Sequence, residues 1–277
     1  MKSNYRYIVK AFMAMAVIAG TTSCDDFLDR EPMSSISPET YYSTAAQLEA
    51  NLNDEYPNVL PSFGQWTYGI FGEDKGTDNQ IEVNANDRYT QDRWKVPHSE
   101  SDNWKFERIY RINFFLSEAL PKFGEDMSGS QNTISGSVAT IKHYIGEMYF
   151  LRAYEYFKKL QLFGDFPIIN QPLADEMEAL REASKRFPRN EVARFIISDL
   201  DKAYAYMSDV DMATTRINKD VAMLVKSRVA LFEATWLQNF KGTAFVPGGE
   251  GWPGASLHNN YQYPSGNIDN EVKYFLE

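Results

Sequence analysis

The chain predicts an all-α fold, stacked helices carrying long irregular loops, on two observations. Apolar residues recur every three or four positions through several long segments, the period that lines side chains along one helix face, while the two-residue alternation of a half-buried strand is almost absent. The longest such segment, Ile141 to Pro167 (IKHYIGEMYFLRAYEYFKKLQLFGDFP), is apolar on more than one side: Ile141, Ile145, Met148, Tyr156 and Phe163 form one set, and Phe150, Ala153, Phe157 and Leu160 another. A helix of that kind must be covered by several neighbours, which places it inside a layer of helices.

Length and composition set the outer limits. With 277 residues, 43% of them hydrophobic, the chain buries a sizeable core as one large domain or two smaller ones. The formal net charge of −10, with lysines and arginines scattered rather than clustered, repels phosphate backbones and excludes nucleic acid as a partner.

The N-terminus reads as an export signal. Lys2, Arg6 and Lys10 precede the apolar run Ala11 to Gly20, which is too short to span a bilayer. Thr21-Thr22-Ser23-Cys24 resembles the lipobox of bacterial lipoproteins, in the loose form of the Bacteroidetes, and Cys24 is the only cysteine in the chain. The resemblance implies cleavage after residue 23 and acyl chains on Cys24. Two or more chains anchor a protein stably, at about 0.8 kcal/mol per buried CH₂. Asp25-Asp26 resembles the acidic tag that sends such lipoproteins to the cell surface. Residues 1–23 are thus expected to be a signal peptide, 24–36 an acylated tether and 37–277 the helical domain.

Along that domain, Ser37-Pro38-Glu39-Thr40 offers an N-cap, a first-turn proline and an early acid, so a first helix is expected from there to about Asn53. Ser62 to Ser101 lacks a helical period and is rich in Gly, Asp, Asn and aromatics; Trp66, Tyr68, Phe71, Tyr89 and Trp94 argue for an ordered functional loop. Ser101 or Asp102 is expected to cap a second helix with the stripe Trp104, Ile109, Ile112, Phe115, Leu116, Ala119 and Leu120. Met127 to Gly136 is a small-residue loop, after which the long helix runs to Gly164 and Pro167, a left-handed stop and a block to continuation. Gly146 costs that helix about 1 kcal/mol relative to alanine, so another backbone is expected to come close there.

The mixed-charge run Asp175 to Arg186 reads as a solvated surface segment. Asn190 opens a helix through Val192, Ile196, Leu200, Ala203 and Met207, and another runs from Lys219 to Asn239 on Val221, Leu224, Val225, Leu231, Phe232 and Leu237. Lys241 to Asn267 is a second aromatic loop, and Ile268 to Glu277 opens a further helix, so the chain is expected to be the N-terminal portion of a longer protein. Ile145-Gly146 followed by Tyr149 echoes the Leu-Gly-x-x-Tyr part of a tetratricopeptide repeat, although no strict repeat period is visible.

Taken together, CDDFLD, SPETYYSTAAQLEAN, WKFERIYRINFFLSEA, GEMYFLRAYEYFKKLQLFGDFPII, VARFIISDLDKAYAYM and INKDVAMLVKSRVALFEATW resemble, in order, the SusD/RagB family of surface glycan-binding lipoproteins. FLRAYEYFKKLQLFGDFP carries the most specific part of the likeness. The resemblance implies a tetratricopeptide-like scaffold, an oligosaccharide ligand and a SusC-type TonB-dependent transporter in the outer membrane, over which the lipoprotein closes. It also implies a lipid-anchored protein facing the extracellular side, with no catalytic role and no cofactor. Family members run to about twice this length, consistent with ~100 to 200 residues per domain.

Sugars meet proteins through aromatic faces and planar polar groups. The candidate substrate-binding residues are therefore Trp66, Tyr89 and Trp94 as platforms, with Asp78, Asn79, Asn86 and Arg88 as polar partners; the tryptophans would serve equally as loop anchors. Ile81, Glu82 and Val83 stand where the family suggests an aromatic platform. Trp252, Tyr261 and Tyr263 form a secondary set, and Arg152 reads as a buried cation paired with Glu155 or Asp165. Two other classes remain: a helical scaffold that docks proteins without a ligand, and a glycoside hydrolase using Glu73, Asp74 or Asp78. His98, His143 and His258 lack metal-ligand spacing, and Asp74, Asp78 and Asn79 resemble a calcium loop only weakly. No nucleophile elbow or phosphate loop is present.

Overall fold

The long central helix forms where its two apolar faces require it, and between Ile141 and Leu160 most of its residues are buried. It spans Val138–Phe163, starting at Ser137, whose hydroxyl accepts from the Thr140 N–H, and ending at Gly164 with φ +67°. Ile141, Met148, Phe150, Tyr156 and Leu160 are all buried. In this computed structural model the described residues are 41–61, 79–80, 103–124, 126–208, 212–213 and 215–277. From Tyr42 to Glu277 the chain forms one unit.

Among the described residues there are seven α-helices: α1 (Ala45–Val59), α2 (Glu107–Phe123), α3 (Val138–Phe163), α4 (Met177–Ala183), α5 (Arg189–Tyr206), α6 (Lys219–Asn239) and α7 (Ile268–Leu276). β structure among those residues is confined to isolated bridges such as Phe166 with Phe187. Packing follows the chain: α2 on α3, α3 on α5, α5 on α6 and α6 on α7, with α1 also lying on α3. Apart from the short α4, serial packing of successive helices is the arrangement of a tetratricopeptide-like stack, in which no helix pair buries its apolar faces alone.

Local sequence explains most boundaries and corrects some expectations. A capping box starts α1: Thr44 Oγ1 accepts from the Gln47 N–H and Gln47 Oε1 accepts from the Thr44 N–H. The expected start at Ser37 lies outside the described residues. The helix runs past Asn53 to Val59, with Pro57 inside it, because Leu52 and Val59 are buried and hold the last turn in the core. The second helix starts at Glu107 behind Phe106, which makes no side-chain cap, rather than directly behind Ser101 or Asp102. Trp104 stays ahead of the helix because it joins an aromatic cluster, with ring centroids 4.9 Å from Phe163 and 5.0 Å from Phe166.

The charged run after Pro172 is solvated as expected but carries the short helix α4, in which nothing is buried. Asn218 caps α6 by accepting from the Val221 N–H at 3.0 Å. The bounds of α6 match the expectation and Leu237 is buried as expected, but most of the buried face differs: Ala222, Val229, Glu233 and Ala234 turn inward, while Leu224 and Leu231 are 72% and 56% exposed. Small residues and a buried ion pair, not the largest apolar side chains, decide which side of α6 meets α5.

Gly146 lies where α3 and α5 touch. A Cβ there would stand 2.8 Å from the Met207 nitrogen and 2.9 Å from the Ala203 carbonyl oxygen, so the close backbone approach expected from the sequence is present. Arg152 is buried, but its partner is Asp199 of α5, which accepts from Nε at 2.6 Å and Nη2 at 2.8 Å, not Glu155 or Asp165. Glu155 sits on the same helix as Arg152 and instead faces Lys158 and Lys159.

Candidate functional site

A cleft of about 490 Å³ opens where the exit of α3, the start of α5, α6 and the loop after α6 converge. The segment FGDFP builds it. Gly164 turns the chain with a left-handed φ, and Phe166 is fully buried and exchanges two backbone hydrogen bonds with Phe187, at 3.2 and 3.1 Å. That bridge holds the end of α3 beside the segment leading into α5.

Asp165, between the turn and the bridge, locks two further elements. Its Oδ1 accepts from the backbone N–H of Arg189 at 2.9 Å, where an acid suits the N-terminus of α5, and its Oδ2 accepts from the Trp252 indole at 2.7 Å. Burial pushes the Asp165 carboxyl above the ordinary aspartate range, against the lowering effect of those two hydrogen bonds.

Arg189 forms the floor. Its Nε and Nη2 donate to the buried carboxylate of Glu233 at 2.9 to 3.1 Å, and its guanidinium stacks on Trp236, 4.0 Å from the ring centroid. The Trp236 indole donates to the Phe245 carbonyl at 3.0 Å, which ties the loop to α6 and leaves the Phe245 ring 61% exposed at the cleft. Trp252, 5% exposed, forms a wall; Gly254 lies so close to the indole that any Cβ there would clash with it. The arrangement offers apolar aromatic faces with a few fixed polar groups, the make-up of a small-molecule site.

Of the residues singled out from sequence, Cys24, Trp66, Asp78, Asn86, Arg88, Tyr89 and Trp94 lie outside the described residues, as do Glu73, Asp74 and His98. Asn79 is described and exposed. In the secondary set, Trp252 is a buried wall. Tyr261 exchanges hydrogen bonds with Asn190, and the Tyr263 hydroxyl donates to the Pro247 carbonyl at 2.7 Å, so both anchor the loop. Sequence reasoning misses Trp236, Phe245, Arg186 and Arg189. The available signal is the FGDFP exit, whose aspartate needs partners brought from elsewhere in the chain. His143 is buried between the Ile217 carbonyl, the Ser208 N–H and Glu147, an internal tie. Among the described residues no group of three or more His, Cys, Asp or Glu side chains could hold a metal ion, and no helix is long and apolar enough to cross a membrane.

Comparison with known proteins decides the family. The profile described as SusD-like, "Starch-binding associating with outer membrane", matches residues 26–231, most of the chain. The chain belongs to the SusD-like family. Two curated relatives, SusD-like proteins P2 and P25 of Formosa agariphila, are each 25% identical, over 87% and 77% of this chain and 46% and 41% of their own length. The chain therefore spans less than half the length of these relatives. Among solved structures, a SusD-like protein from Bacteroides fragilis overlays with a TM-score of 0.47 at 17% identity, covering 76% of this chain and 39% of that one. A SusD-like carbohydrate binding protein from Bacteroides vulgatus gives 0.46 at 16% identity, covering 70% and 42%.

Proposed function

We propose that this SusD-like chain is a lipoprotein acylated on Cys24 after loss of residues 1–23, tethered through residues 24–36 to the extracellular side of the outer membrane. There it binds oligosaccharide nutrients and passes them to a SusC-type TonB-dependent transporter. Membership of a family described as starch-binding and outer-membrane-associated supports the setting. The observation that carries the ligand reading is the cleft at the FGDFP exit, where Phe245 and the half-buried Trp236 present aromatic surface beside the buried wall of Trp252 and fixed polar groups. The loop residues Trp66, Asp78, Asn86, Arg88, Tyr89 and Trp94 add a second set of platforms and polar partners in this reading.

The role is binding, not turnover. Among the described residues the cleft is lined by a single carboxylate, Asp165, with both oxygens engaged, and not by the paired carboxylates a glycosidase needs.

Calorimetric titration of the full chain in detergent micelles with neutral and acidic oligosaccharides tests the reading. Phe245→Ala removes an exposed ring and should weaken binding roughly tenfold, the scale of one lost aromatic platform of about 1–1.5 kcal/mol, with the unfolding midpoint unchanged. Trp66→Ala and Trp94→Ala should act in the same direction. No heat with any oligosaccharide would defeat this reading and favour a scaffold that docks proteins.

A further inference from the structure

We propose that the cleft at the FGDFP exit selects anionic saccharides, oligosaccharides carrying carboxylate or sulfate groups, with Arg186 and the open edge of Arg189 as the groups that receive the anion. The inference rests on the oligosaccharide reading of this cleft and adds its charge preference.

Hydrogen-bonding capacity in the cleft is lopsided. Arg189 commits Nε and Nη2 to Glu233, while its Nη1 makes no hydrogen bond among the described residues. That nitrogen stands 3.5 Å from where a Cβ on Gly164 would be, so the bare glycine leaves room beside it, although the Arg189 side chain as a whole is 4% exposed and Arg186 is the more open of the two cations. Arg186 lines the same cleft and makes no ion pair or side-chain hydrogen bond among the described residues; its guanidinium lies over Trp104, 4.6 Å from the ring centroid. Its backbone is held in place, because the Arg186 carbonyl accepts from Nε2 of His258 at 2.7 Å and the neighbouring Phe187 is bridged to Phe166.

Acceptors facing the cleft are scarce by comparison. Asp165 already receives the Trp252 indole and the Arg189 amide, and Glu233 is turned beneath Arg189, fully buried. Burial further biases Asp165 toward its neutral form. The hydroxyls of a neutral sugar can accept from these guanidinium donors, but a carboxylate or sulfate matches their planar fork with charge-assisted hydrogen bonds roughly twice as strong. The chain's overall charge of −10 does not cancel this, since exposed charges farther away than about 8 Å are largely screened at physiological salt.

The test is calorimetric titration of the full chain in detergent micelles with length-matched neutral gluco-oligosaccharide, oligogalacturonate and sulfated galacto-oligosaccharide. At least one acidic ligand should bind about tenfold more tightly than the neutral one, with the advantage shrinking as salt is raised. Preference for galacturonate alone identifies a carboxylate site, preference for the sulfated ligand alone a sulfate site, and a shared preference a general anion site. Arg186→Gln should bring the acidic-to-neutral ratio close to one, while Arg181→Gln, on the exposed helix α4, should leave it unchanged. Equal affinity for neutral and acidic ligands would overturn the charge preference and leave the oligosaccharide reading standing. An acidic preference indifferent to Arg186→Gln would remove it from this cleft. Absence of binding to all three would defeat both readings.

Discussion

Substituting Gly146 by alanine sets two effects of opposite sign against each other. In an isolated helix the change is favourable by about 1 kcal/mol, because glycine surrenders more backbone freedom. In this structure the new methyl would stand 2.8 Å from the Met207 nitrogen, 2.9 Å from the Ala203 oxygen and 2.9 Å from Met207 Cγ. The first two atoms are the donor and acceptor of the hydrogen bond that closes α5, itself 2.8 Å long. Relief requires α3 and α5 to separate by about half an ångström or that bond to open. Overpacking costs about 1–3 kcal/mol and the strained bond about 1 kcal/mol more. Against the propensity gain, Gly146→Ala should destabilise the chain by about 1–3 kcal/mol. The assay is urea unfolding followed by far-ultraviolet circular dichroism, with the midpoint falling and the slope unchanged. Thermal melts should fall by about 2–4 °C for each kcal/mol. A midpoint equal to or above that of the parent would refute the close approach of α5 to α3.

The buried charges lead to two further outcomes. Asp199→Ala leaves the Arg152 guanidinium, whose side chain is 4% exposed, with only Asn113 Oδ1 and the Asn170 carbonyl, and should cost about 3–5 kcal/mol in the same urea assay. Burial raises the Glu271 carboxyl, but hydrogen bonds from Arg194, Asn190 and Ser265 more than offset it and hold the group below the ordinary glutamate value of 4.5. A depressed carboxyl contributes stability above its unfolded pKa and loses it as pH falls through the folded one. Glu271→Gln should therefore be less stable than the parent by about 1–3 kcal/mol at pH 7, with the gap closing below about pH 4.5; a gap independent of pH would contradict the assignment.

Much of the scaffold is legible in the sequence because helices are specified locally. The three-four spacing, the cap at Asn218, the stop at Gly164 and the two-sided apolar character of α3 are each written within a few neighbouring residues, and each appears in the structure. Even a long-range contact is suggested at Gly146, because a glycine inside a helix costs about 1 kcal/mol and close packing of another backbone is one reason to keep it. Where local signals compete with packing, packing prevails. Pro57 does not stop α1, because Val59 belongs to the core, and Trp104 does not join α2, because the cluster around Phe166 holds it.

The partners of charged groups and the cleft are decided by tertiary structure alone. Arg152 meets Asp199 across 47 positions and Arg189 meets Glu233 across 44, and no spacing rule reaches that far. The buried face of α6 escapes the sequence for the same reason: hydropathy favours Leu224 and Leu231, while the Arg189–Glu233 pair and the small side chains of Ala222 and Ala234 set how α5 and α6 fit. From the sequence alone come the family, the helical class and the FGDFP landmark. That Asp165 in this landmark joins Trp252 to the start of α5, and so forms a cleft, requires the fold, because hydrogen bonds act over about 3 Å of space and not over sequence.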